Sequence, residues 1–191
     1  RTPPRLPRRV GRRPLSATVR AFVAIELPDA VRTALGAAIA EIGAFPGVRP
    51  VRPEGVHLTL KFLGDIGVER VGPLSEAIVE VARPVAPFAL GVGGTGAFPS
   101  SRAPGVFWAG ITGELGPLRE LWRALEGATS DLGFAEERRG FSPHLTLARV
   151  RRGSSPEEIR KAVDALSRVE FDDGLRIPVN RLCLMRSTLG P

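Results

Sequence analysis

Two imidazoles in identical settings are the chemistry-bearing feature of this chain. The tetrapeptide His-Leu-Thr-Leu occurs at residues 57–60 and again at 144–147, and His57 and His144 are the only histidines among 191 residues. If each tetrapeptide is a strand, its side chains alternate between two faces. His57 and Thr59 then share one face and Leu58 and Leu60 the other, and His144, Thr146, Leu145 and Leu147 repeat the arrangement. Each strand would give an apolar face to a core and carry an imidazole and a hydroxyl about 7 Å apart on the opposite face. A lone histidine of this kind is an ordinary half-buried strand residue. A pair that uses up the whole histidine complement points to one constellation assembled from two halves of a fold.

Two imidazoles facing one cleft suit paired acid and base catalysis. An ordinary histidine pKa of about 6.5 lets one ring be neutral while the other is protonated near neutral pH. The neutral ring can take a proton from water and the protonated ring can give one to a departing alkoxide. Hydrolysis of a phosphodiester needs both events, with attacking and leaving oxygens roughly in line across phosphorus. Hydroxyls such as Thr59 and Thr146 suit the non-bridging oxygens, where charge develops. This chemistry needs no metal or other cofactor. Two histidines and one cysteine give no zinc-type spacing, and the acidic residues are scattered or lie on helix-like stretches.

The flanking sequence extends the pattern. Residues 20–27 (RAFVAIEL), 56–64 (VHLTLKFLG), 96–99 (GAFP), 106–110 (VFWAG), 141–149 (FSPHLTLAR) and 184–187 (LMRS) follow in order to the end of the chain. Together with the paired His-x-Thr-x motifs they resemble the two-histidine phosphoesterase superfamily. Within it, the match is to the RNA 2',3'-cyclic phosphodiesterases, LigT-like proteins also called 2'-5' RNA ligases for the reverse reaction. The resemblance implies a bilobed α+β fold, two pseudo-symmetric lobes whose antiparallel sheets line a central cleft. It implies hydrolysis of RNA or oligonucleotide 2',3'-cyclic phosphate ends to 2'-phosphates, with His57 as proton donor and His144 as proton acceptor. The two motifs themselves are nearly symmetric and do not assign these roles. An enzyme acting on a small cyclic phosphate such as ADP-ribose 1'',2''-cyclic phosphate, or a nucleotide-binding module without turnover, are the competing readings. Binding alone would not demand two titrating groups.

Three further residues are candidates for substrate contact. Lys61, at offset four from His57, falls by strict alternation on the face of His57 and Thr59. Arg149 falls at an odd offset from His144; the resembled family carries arginine there, and a bulge or strand end would redirect it. Phe141 could stack on a base. Against these, Cys183 reads as an inert thiol in an apolar strand, and Trp108 and Trp122 as core. Gly91, Gly93 and Gly96 spell a nominal dinucleotide fingerprint, but Phe98 and Pro99 follow instead of a helix, so the segment reads as a flexible turn.

Charge separates a leader from a body. Seven arginines and no acid lie in residues 1–20, and this matches the net charge of +7, so residues 21–191 carry no net formal charge. A pI near 11.2 therefore says nothing about RNA binding by the folded part. Residues 1–19, rich in Arg and Pro, are expected to be disordered and to precede one domain spanning 20–191. They lack the apolar core of a secretory signal, and Pro3, Pro4, Pro7 and Pro14 disfavour a transit peptide. Val19 stands where similar proteins begin with Met, so translation from a non-ATG codon there is an expectation. Similar proteins also continue past the equivalent of residues 187–191 into one more strand. Its absence would leave an unpaired edge.

The elements that must position the histidines read as a βα pattern. Strands are expected at 21–27, 56–63, 88–92, 106–111, 144–150 and 177–185. Helices are expected at 31–42, with apolar Val31, Leu35, Ala38, Ile39 and Ile42 on one face, and at 69–82, 115–132 (closed by Gly133) and 156–166. No run is long enough to span a membrane. A single cysteine fits a reducing cytoplasm, and the protein is expected there as a monomer.

Overall fold

The computed structural model describes residues 17–137 and 140–187, and most of the expectation for residues 1–19 lies outside that range. The exception is its inner boundary: the first strand, β1, spans Thr18–Glu26, so Thr18 and Val19 belong to the folded unit and pair with Gly67 and Ile66. β1 is buried from Ala21 to Ile25, and Pro28 separates it from helix α1 (Asp29–Gly43). The helix buries Val31, Leu35, Ala38, Ile39 and Ile42, the five positions its 3.6-residue period selects.

The rest follows in order: β2 (Val48–Pro50), β3 (His57–Gly67), α2 (Val71–Ala82), β4 (Phe88–Phe98), β5 (Val106–Gly113), α3 (Leu115–Asp131), β6 (His144–Val150), α4 (Pro156–Leu166), β7 (Arg176–Val179) and β8 (Cys183–Arg186). Just past the end of α3, Gly133 takes a φ of 81°, the left-handed stop that glycine adopts without penalty. Ser155 caps α4 reciprocally: its hydroxyl accepts from the Glu158 amide at 3.2 Å, and its own amide donates to the Glu158 carboxylate at 3.1 Å.

Two antiparallel sheets result, one in the order β3-β1-β8 and one in the order β2-β6-β5-β4-β7. Each motif strand belongs to a different sheet. The lobes are interlocked, because β2 precedes β3 in sequence yet pairs with β6, and β8 follows β7 yet returns to β1. The single strand expected at 177–185 is thus two strands. Residues 180–182 carry the chain from one sheet to the other, and an apolar run does not reveal such a change of partner. One apolar core joins residues of both sheets and of the helices.

The glycine-rich segment is also different from its expectation. Gly91, Gly93 and Gly96 lie within β4, not in a flexible turn. Gly94 takes φ 69° where the register slips between Val92 and Thr95, a glycine bulge. A Cβ at Gly96 would come within 2.3 Å of the Trp108 ring, so a bare backbone is what lets that indole lie across the strand. No helix among the described residues is long and apolar enough to cross a membrane.

Candidate active site

His57 and His144 stand at the starts of β3 and β6. On both strands the leucines turn inward: Leu58, Leu145 and Leu147 have no exposed surface and Leu60 is 4 % exposed. Burial on one face forces the imidazoles and the threonines to the other. His57, Thr59, His144 and Thr146 all line one cavity of about 430 Å³ between the sheets. No aspartate or glutamate is among the described residues that line it, while Arg20 and Arg149 are.

His144 Nδ1 lies 2.8 Å from the Ser142 carbonyl oxygen. A carbonyl only accepts, so Nδ1 carries the proton and donates, leaving Nε2 as the basic nitrogen of the neutral ring. The Gly55 backbone, also two residues upstream, favours the protonated form of His57. An aromatic ring supports each imidazole: Phe22 stacks on His57 at 4.5 Å between centroids, and Phe98 meets His144 edge-on at 4.9 Å. Burial lowers the His57 pKa below the ordinary imidazole value, and the Gly55 backbone offsets part of that.

Both motif strands break alternation at the same place. Val23 pairs with Lys61 but Ala24 pairs with Thr59, so Leu60 is an extra residue in β3. Phe107 pairs with Ala148 but Trp108 pairs with Thr146, so Leu147 is the extra residue in β6. Beyond each bulge the faces exchange. Lys61 is therefore turned inward, which corrects its expected place on the face of His57. It is 5 % exposed, and its ammonium donates to Glu126 Oε2 and to the Ala135 carbonyl, both at 2.7 Å. The same inversion brings Phe62 to the cavity on one strand and Arg149 on the other. Phe141 does not line the cavity. It stacks on Trp122 of α3 at 5.1 Å with the rings 5° from parallel, where it packs against the core.

Phe22, Phe98, Phe62 and Arg20 are among the cavity residues not singled out from the sequence. Cys183 lies off the cavity; burial raises its pKa, as does the Glu26 carboxylate 3.5 Å away, so its thiolate form is disfavoured. Among the described residues no three His, Cys, Asp or Glu side chains converge as a metal-holding group.

Antiparallel sheets facing each other across a cleft, with one His-x-Thr motif contributed by each, make up a two-histidine phosphoesterase. The chain belongs to the LigT like Phosphoesterase family, which matches residues 25–108 and 112–191. An RNA 2',3'-cyclic phosphodiesterase of Thermus thermophilus is 36% identical over 178 residues, 91% of this chain and 84% of that one. Among solved structures, a Thermus thermophilus protein superposes with a TM-score of 0.73 and 34% identity, covering 90% of both chains. LigT of E. coli, solved with phosphate, superposes with a TM-score of 0.67 and 26% identity, covering 92% of this chain and 90% of that one.

Proposed function

We propose that this protein opens 2',3'-cyclic phosphates at RNA or oligonucleotide ends, yielding 2'-phosphomonoesters, by acid–base catalysis that needs no metal. The observation that carries the reading is the convergence of two imidazoles and two threonines on one cavity. The activity by which the Thermus relative is named supports it, as does the phosphate held by the E. coli neighbour.

In this mechanism His144 Nε2 takes a proton from water as the water oxygen bonds to phosphorus. The bond from phosphorus to O3' breaks, and His57 delivers its proton to O3'. Thr59 and Thr146 donate hydrogen bonds to the non-bridging oxygens, and Arg149 adds positive charge to the same wall. The assignment of donor to His57 and acceptor to His144 rests on the family resemblance. The depressed His57 pKa is compatible with the donor role because an anionic phosphate beside the ring favours its protonated form. Residues from Thr18 onward form the catalytic domain, working as a monomer in the cytoplasm.

A turnover assay tests the proposal. Adenosine 2',3'-cyclic phosphate and a cyclic-ended oligonucleotide should be hydrolysed to 2'-phosphates at rates unchanged by excess EDTA, and faster than ADP-ribose 1'',2''-cyclic phosphate. Loss of activity on chelation with recovery on adding a divalent ion would overturn the mechanism, and 3'-phosphate products would overturn the bond assignment.

A further inference from the structure

One row across the five-stranded sheet sets two like charges side by side. Beyond the bulge at Leu147, Arg149 faces the cavity. Its partner on β5 is Val106, which also lines the cavity, and its partner on β2 is Arg49. Directly opposed residues of an antiparallel pair present their side chains on one face, with Cβ atoms about 5 Å apart. Arg49 therefore lies on the cleft face of the sheet, as does Val51 two residues on, which reaches the cavity lining. Both arginines are exposed. Like charges directly opposite one another destabilise a strand pair. Among the described residues, neither guanidinium has an ion-pair or hydrogen-bond partner to offset that cost. Arg20, the other arginine on the cavity, stands instead opposite Asp65. Two adjacent cations without an acid make a local positive field that suits anions, on a body whose formal charges otherwise sum to zero.

We propose that Arg49 binds the phosphodiester immediately 5' to the terminal nucleoside, and so makes the enzyme favour oligonucleotides over single nucleotides. This inference rests on the cyclic phosphodiesterase reading above. Arg149, on the cavity wall, serves the reacting ring phosphate. Arg49 stands one strand further out, just beyond the cavity lining, where the next phosphate along the chain would lie. A continuous wall leads there from the donor histidine: between Arg49 and His57 the backbone lines the cavity at Val51, Gly55 and Val56. A ribose whose O3' meets His57 can therefore direct its 5' side along this wall toward β2. A guanidinium suits the task because its planar fork matches two phosphate oxygens at once. The contact carries no base information; it positions the chain and rewards its length.

The test compares three substrates: adenosine 2',3'-cyclic phosphate, adenylyl-adenosine 2',3'-cyclic phosphate, and the same dinucleotide with a neutral methylphosphonate linkage. Wild-type kcat/KM should favour the natural dinucleotide over the other two. Arg49→Gln should lower kcat/KM for that dinucleotide by roughly tenfold, mostly through KM, as for one lost charge-assisted phosphate contact. It should affect the two substrates without an anionic linkage far less, and should flatten the salt dependence of the dinucleotide KM. Arg49→Lys should keep most of the preference. Arg149→Gln should slow all three substrates by similar factors. In urea denaturation Arg49→Gln should be at least as stable as the wild type, because the like-charge contact is relieved. The assignment is overturned if the wild type does not distinguish the natural linkage from the methylphosphonate, if Arg49→Gln slows all three substrates equally, or if it destabilises the fold. If the wild type turns over no cyclic compound but binds adenylyl-adenosine 2'-phosphate more tightly than its methylphosphonate counterpart in an Arg49-dependent way, the catalytic reading falls and the phosphate site stands.

Discussion

The strands that carry the two motifs, β3 and β6, agree in what they present and differ in how they are held. Both put an imidazole and a threonine on the cavity, both bury two leucines, and both bulge at the fourth residue. β6 is an interior strand, clamped between β2 and β5, whereas β3, among the described residues, is at the edge of its sheet and pairs with β1 alone. The residue after the bulge follows that difference. On β6 it is Ala148, buried without side-chain polar contacts, because neighbouring strands on both sides already fix the backbone. On β3 it is Lys61, tied across to Glu126 of α3 and the Ala135 carbonyl, while Glu126 Oε2 also accepts from the Glu137 amide at 3.0 Å. An edge strand that must hold a catalytic group to within fractions of an ångström gains a second attachment from a buried ion pair. The catalytic pattern is repeated, and its mechanical support is not.

The largest expected effect tests what the strands share. His57→Ala and His144→Ala should each lower kcat by roughly a hundredfold to ten-thousandfold on a cyclic phosphate, the usual worth of a general acid or base. Wild-type rates in either variant would remove that ring from the chemistry. Thr59→Val and Thr146→Val should lower kcat by about ten- to a thousandfold, with folded strands because valine is nearly isosteric and β-favouring. A rise in KM alone, at unchanged kcat, would mean the hydroxyls bind ground and transition states equally.

A third expectation probes the difference between the strands. Lys61→Met should cost about 3–5 kcal/mol in urea denaturation, because it leaves the Glu126 carboxylate buried without its cation. Glu126 Oε1 already has no hydrogen-bond partner among the described residues. Adding Glu126→Leu should recover most of that loss. A single variant as stable as the wild type would show that β3 needs no brace from α3.

The smallest effect is a titration. Two histidines give two resolvable imidazole signals, and His57 in the free protein should titrate below the ordinary value of about 6.5, because burial penalises its cation. Inorganic phosphate should move it upward, since an anion favours the protonated ring. A histidine held preferentially neutral in the fold stabilises it above the unfolded pKa, and that contribution is lost as pH falls through the lower folded value. A free-protein value above 6.5, or a downward shift with phosphate, would contradict the burial argument.

Much of this site can be read from the alternation of side chains, and the remainder depends on pairing partners. The period-two pattern places His57, Thr59, His144 and Thr146 on exposed faces, and the helical period selects the buried face of α1. Alternation fails at Leu60 and Leu147, because a bulge is a mismatch between two strands and leaves no mark in either one. Lys61 consequently lies inside, Phe62 lines the cavity, and Arg149 reaches the cleft as a redirected residue would. The three-residue strand β2 and the division of 177–185 into β7 and β8 are likewise invisible locally, since both depend on which sheet accepts the chain. The places of Phe22 and Phe98, each against an imidazole, emerge only from the fold.

The division of labour between His57 and His144 is the central claim, and a substrate with a leaving group of very low pKa tests it most directly. Such a group departs without a proton, so the acid becomes dispensable while the base is still needed to activate water. His57→Ala should then recover much of the wild-type rate on that substrate, while His144→Ala stays slow. Rescue of His144→Ala with none for His57→Ala would reverse the two roles and contradict the account.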